Sequence, residues 1–201
     1  MTEKKRSIKD DFTMLTILLI PIGVAVNVVG GNLASLLKLP MYLDTIGTIF
    51  TGIIAGPWVG AVTGLLTNIV TGITNPVNFW FIHVNVIVGL ITGFMARAGW
   101  FTDWKKGLLA TVIQAAASTI ASAPPVVYVF GGVTGSGTSL ISAVMIAAGK
   151  SIWTSFLSVE IVWTIIDRII SWLISLGVMK VIPDRTLVKF PLGELYIKDK
   201  K

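Results

Sequence analysis

The stretch DTIGTIFTGIIAGPWVGAVTGLLTNIVTG, from Asp44 to Gly72, decides the fold. After Asp44 it holds no Asp, Glu, Lys or Arg. A membrane-spanning helix needs about 20 predominantly apolar residues, so this block is too long for one ordinary span. Gly56-Pro57 falls in its middle, and proline lacks the N–H that a continuous helix would use there. The block therefore reads as two short, tilted helices joined by a tight turn. Transmembrane β-strands would show as roughly ten-residue alternating segments, which these residues do not. Inside hydrocarbon the remaining structure that satisfies its own backbone is the helix.

Working outward, the same character recurs. Residues 13–31, 77–96 and 108–133 also lack Asp, Glu, Lys and Arg. Of 201 residues, 54% are hydrophobic and 13% charged, against about 25% charged in an ordinary soluble domain. The expected architecture is a single all-α domain, a six-helix bundle over 13–182 in the membrane. A basic arm (1–12) and a tail (183–201) flank it. The first span is 13–32, read as retained because no clear small-residue cleavage site follows it. A loop with Pro40 comes next, then the divided block, ended by Thr74-Asn75-Pro76. A fourth span covers 78–97 and a fifth 107–123, closed by Pro124-Pro125, before a flexible loop at 131–139. Residues 140–181 hold either two spans or an outer-surface helix followed by one long span. Lys and Arg collect in the inner loops of membrane proteins, and six spans with both termini cytoplasmic place 13 of these 16 residues inside. The expected location is the prokaryotic plasma membrane, crossed several times.

Charge and composition also exclude functions. The net charge is +6, but the basic residues flank apolar blocks and form no stripe of the kind nucleic acid requires. There is no cysteine, so thiolate chemistry and disulfides are out, and a single histidine, His83, excludes a multi-histidine metal site. Neither cofactor nor metal is expected. The stretch GVTGSGTS at 132–139 has the glycine spacing of a phosphate loop, but Thr138 stands where the lysine belongs. It reads as a mobile loop. One histidine and one well-buried acid make a poor catalytic constellation, so an enzyme is not expected.

Small residues recur every four positions at Gly52, Gly56, Gly60 and Gly64, and again at Gly89 and Gly93. Such spacing lets helices approach closely in lipid, either within the bundle or against a second membrane subunit. Polar side chains at membrane depth are costly and often functional. Asn78 and Asn85, seven apart, are expected on one helix face with Trp80 and His83 beside them. Gln114 pairs with Ser118, and Glu160 forms a stripe with Thr164 and Asp167. Asp167-Arg168 reads as an intrahelical or interfacial charge pair.

The run LPMYLDTIGT at 39–48, then GPWVG at 56–60 and GLLTN at 64–68, resembles the S components of energy-coupling factor (ECF) vitamin transporters. DRIIS at 167–171 resembles the acidic-basic-apolar-Ser pattern of their last helix. The resemblance implies a subunit that captures a vitamin or related micronutrient from outside. It implies a capping loop at 33–42 and an outer gate at 131–139. Partners would be a transmembrane coupling protein and two cytoplasmic ATPases, which supply the ATP hydrolysis. The substrate contacts expected are Asn32, Tyr42, Asn78, Trp80, His83, Asn85, Gln114 and Glu160. That set suits a hydroxylated heteroaromatic ring of pyridoxine or hydroxymethylpyrimidine type. Docking would use Gly23, Ala25, Gly30 and Ala34, standing in for the family's Ala-x-x-x-Ala motif, together with Gly52, Gly56, Gly60 and Gly64. The competing function is a stand-alone secondary carrier or channel for a small polar solute.

Overall fold

A computed structural model describes residues 7–197, and these are all helix, turn and loop. The basic positions Lys4, Lys5, Arg6, Lys198, Lys200 and Lys201 lie outside the described residues. Eight α-helices follow in order: α1 (Met14–Leu36), α2 (Ile46–Ala55), α3 (Pro57–Thr74), α4 (Ile82–Arg97), α5 (Trp104–Pro124), α6 (Gly137–Ala147), α7 (Ile152–Val181) and α8 (Asp184–Leu187). Four segments are long and apolar enough to cross a membrane: Met14–Leu36, Pro76–Arg97, Trp104–Val129 and Ile152–Val181. At 1.5 Å per residue, the ten residues of α2 reach about half of a ~30 Å hydrocarbon core.

The divided block folds as read. Gly56 takes a φ of 110°, a conformation that L side chains rarely adopt, and Pro57 opens α3 at the position where a missing N–H costs nothing. α2 and α3 then return on each other as an antiparallel hairpin. Thr51 Oγ1 lies 3.1 Å from Thr63 Oγ1, and a Cβ on Gly60 would sit 3.0 Å from Gly52 Cα.

Glycines set the spacing of the neighbouring helices. A Cβ on Gly47 would lie 2.0 Å from the Gly23 carbonyl oxygen, where α1 crosses α2. On Gly89 it would lie 2.3 Å from the Gly60 backbone, and on Gly93 2.1 Å from Pro57, where α3 meets α4. Around these crossings Ile49, Ile53, Val59 and Val88 are fully buried and form the core.

The break at Gly56-Pro57 leaves helix-end groups to satisfy, and both ends of the chain supply partners. Asp11 is fully buried beside it, with Oδ2 3.4 Å from the Trp58 amide and Oδ1 2.6 Å from Arg97 Nη2. The tail returns to donate the Leu192 N–H to the Ile54 carbonyl at 3.1 Å. Leu187, Leu192 and Tyr196 are buried against the same core.

Several boundaries differ from the expectation. α1 runs on to Leu36 rather than ending at Asn32, because nothing before residue 37 breaks the winding, so the connecting loop is 37–45 rather than 33–42. Residues Pro76–Phe81 form a 3₁₀ segment and α4 starts at Ile82, so Asn78 and Asn85 do not share a face of one helix. α5 ends at Pro124, but the winding does not stop at Pro124-Pro125. The chain continues through Pro125–Val129 as a wider π-type turn, with Phe130 N–H donating to the Pro125 carbonyl, which accommodates two residues lacking N–H groups. The loop at 131–139 is cut short by α6, started by Ser136, whose side chain accepts from the Ser139 amide. Residues 140–181 are thus one short helix followed by one of 30 residues.

Candidate functional site

The loop 37–45 lies over a buried polar seam between α5, α6 and α7. Its two turning residues, Lys38 and Leu43, have φ of 51° and 52° without being glycine, a conformation that costs of order 1 kcal/mol or more. What holds the second is Asp167 of α7. Its Oδ1 accepts from the Leu43 amide at 2.8 Å and the Tyr42 amide at 3.1 Å. Its Oδ2 pairs with Arg168 at 2.8 Å, and Arg168 reaches on to Thr45 Oγ1 and, at 3.4 Å, to Ser118 Oγ. Asp167-Arg168 is therefore an intrahelical pair, but a buried one that also anchors the loop.

The Tyr42 hydroxyl closes the seam. It lies 3.0 Å from Glu160 Oε2, to which it donates, and 2.8 Å from Thr138 Oγ1 at the start of α6. Glu160 Oε1 accepts from Thr164 at 3.2 Å, one helical turn along α7. Glu160 and Asp167 are both buried and Asp44 of the loop lies near Asp167 and Arg168, so the seam presents three acids, one guanidinium and several hydroxyls in a low-dielectric setting where each polar contact carries weight. Buried side-chain atoms without a hydrogen-bond partner cluster on the same two helices. They are Gln114 Oε1 and Thr119 Oγ1 on α5, and Ser155 Oγ, Arg168 Nε, Ser171 Oγ and Trp172 Nε1 on α7. Such groups are rare in folded proteins and call for an explanation.

The structure separates the eight expected contact residues. Tyr42 and Glu160 meet in the seam. Gln114 lies in the bundle, its Nε2 donating to Thr92 at 3.1 Å. Asn85 belongs to a different network. Its Nδ2 donates to Asn68 Oδ1 at 2.7 Å, Asn68 donates to the Asn78 carbonyl at 2.9 Å, and Thr48 links Asn85 to Asn27. Asn27 also accepts from the Gly47 amide and donates to Thr67. This network ties α1 to α4 and holds the hairpin in place. Asn32 is exposed on α1.

Trp80 and His83 line a separate open cleft of about 610 Å³ with Phe79, Pro124 and Tyr128. His83 has a local task there. Pro125 has no N–H for the Ala121 carbonyl four residues earlier, and His83 Nε2 donates to that oxygen at 2.8 Å. Since a carbonyl only accepts, Nε2 carries a proton.

Sequence reasoning missed Thr138, Thr45 and the loop-anchoring role of Asp167. Thr138 had a readable sign, since it follows Ser136, a typical helix-starting residue. The expected docking residues are mostly turned inward: Gly52, Gly60 and Gly64 face α4, Gly23 faces α2 and α3, Gly30 meets Leu43, and Ala34 is buried. Gly56 lies against Asp11, and Ala25 is exposed.

The family model for ECF transporter substrate-specific components matches residues 15–179. The chain belongs to that family, whose members are substrate-binding subunits of membrane transporters rather than enzymes. No curated protein and no solved structure matches the chain.

Proposed function

We propose that this chain is the ligand-binding subunit of an ECF-type importer that captures a micronutrient in the seam beneath loop 37–45. The observation that carries the reading is the buried polar cluster of Glu160, Asp167 and Arg168 under a loop held by a few hydrogen bonds, with Arg168 Nε still unpartnered. A ligand with ring nitrogens and hydroxyls can pair with such atoms, and Glu160 and Tyr42 are the contacts proposed. The expected class is a hydroxylated nitrogen heteroaromatic, of pyridoxine or hydroxymethylpyrimidine type. Release of the Tyr42 hydroxyl from Glu160 and Thr138 opens the seam.

Six spans, α1 to α5 and α7, with both termini cytoplasmic fit the charge distribution. Among the described residues Lys9, Arg97, Lys105, Lys106, Lys180, Arg185 and Lys189 fall at the end of the bundle that holds the α2–α3 break. Lys38 and Lys150 fall at the loop 37–45 end. Ligand then enters from outside, and inward delivery requires a coupling protein with two ATPases. The test is purification from the native membrane in mild detergent. ATPase subunits are expected to co-purify, with a heteroaromatic small molecule retained and identified by mass spectrometry. Accumulation of solute by the chain alone in proteoliposomes under an ion gradient would instead establish the stand-alone carrier.

A further inference from the structure

At the opposite end of the bundle from loop 37–45, the start of α5, the end of α7 and the returning tail enclose a second cleft of about 340 Å³. Trp104, Trp172, Leu176 and Met179 give it apolar walls, Tyr196 of the tail lines one side, and Lys180 joins them. Trp104 lies over Trp172 with ring centroids 4.9 Å apart, yet remains 61% exposed. Trp172 is 1% exposed, and its indole N–H has no hydrogen-bond partner. A buried donor left unmade costs about 1–3 kcal/mol, and the tight approach of Gly107 to its ring fixes the indole in place.

Three properties of this cleft coincide. Its walls are mostly apolar, it is lined by Trp172 with its unpartnered indole N–H, and it stands at the end of the bundle where the basic residues gather, with Lys180 in its lining and Lys105 and Lys106 on the neighbouring turn of α5. Tryptophan in such a position suits the membrane interface, where one part of a ligand is apolar and the other polar. We propose that this cleft binds one anionic phospholipid. An acyl chain lies along Trp104, Leu176 and Met179. The phosphate or glycerol-ester oxygens accept from Trp172 Nε1 and face Lys180. Clusters of basic residues beside membrane helices select anionic headgroups in the same way. Nothing in this proposal depends on which solute occupies the seam.

The experiment is native mass spectrometry of the full chain, delipidated in detergent and then given phosphatidylglycerol, phosphatidylcholine or inorganic phosphate. One phosphatidylglycerol is expected to remain per chain, at least tenfold more strongly than phosphatidylcholine, with inorganic phosphate unable to displace it. Trp172→Phe keeps the ring and removes the donor, and Lys180→Gln removes the charge; together they are expected to lower phosphatidylglycerol retention at least tenfold. Leu176→Trp, which fills the cleft, is expected to exclude the lipid while leaving both polar groups in place. Equal retention of the two lipids, displacement by phosphate, or unchanged retention in the folded variants would overturn the proposal.

Discussion

The two halves of the bundle solve the problem of polar groups in an apolar setting differently. In α1 to α4, Asn27, Thr48, Asn68 and Asn85 form a linked chain of hydrogen bonds, and glycine crossings bring the backbones together. Among the described residues, Arg97 Nε is the one unpartnered buried side-chain atom on these four helices. In α5 and α7 six such atoms remain, beside a charged pair and an interrupted helix. The first half is a scaffold satisfied at all but one atom. The second is built to be completed by something else.

The contrast can be broken by mutation. The largest effect is expected from Asp167→Ala, which strands the Arg168 charge and frees the Tyr42 and Leu43 amides. Removing one partner of a buried ion pair costs about 3–5 kcal/mol, to be read as lost stability in detergent unfolding. Asp167→Asn, which keeps an acceptor for the loop, should lose clearly less. In the scaffold, Gly89→Val forces a side chain into the Gly60 backbone. Overpacking of this kind costs about 1–3 kcal/mol, and thermal unfolding measures it. If Gly89→Val unfolded like the wild type, the rigid scaffold would be the wrong description of α3 and α4.

Glu160→Gln sharpens the other side. It replaces a buried carboxyl by an amide of the same shape, so stability should hold while affinity for the heteroaromatic ligand falls about tenfold, or ~1.4 kcal/mol, in titration calorimetry. The smallest effect concerns Asp103, the exposed residue that starts α5. Its Oδ1 accepts from the Lys106 and Lys105 amides, which hold the carboxyl below its usual value. A lowered carboxyl contributes fully above its unfolded pKa and loses that contribution as pH falls through the folded one. Amide hydrogen exchange at Lys105 and Lys106 should therefore rise, relative to the intrinsic rate, only as the pH drops below the ordinary carboxylate range. The rest of α5 should stay protected.

Legibility in the sequence divides along the same line. The hairpin at Gly56-Pro57 could be read directly, because a proline's missing N–H is a local property. The four-residue glycine period announced close helix packing, though not which helices would meet. The seam was visible only in pieces. Glu160 and Tyr42 each stood out, but their contact joins residues 118 positions apart and depends on how a loop with two left-handed residues turns back. Trp80 and His83 were grouped with Asn85 on spacing, and the 3₁₀ segment at Pro76–Phe81 undid the first part of that grouping. His83 was misplaced for a different reason. Its partner is a carbonyl freed by Pro125, on another helix.

The closure of the α2–α3 break by both ends of the chain bears on how the protein is made. Asp11 is available as soon as the hairpin leaves the ribosome, but the Ile54 carbonyl meets its partner amide only when Leu192 has been synthesised. A segment translated long after the hairpin thus finishes it, and a chain cut before Leu192 would carry its defect far back in the sequence, at the end of α2.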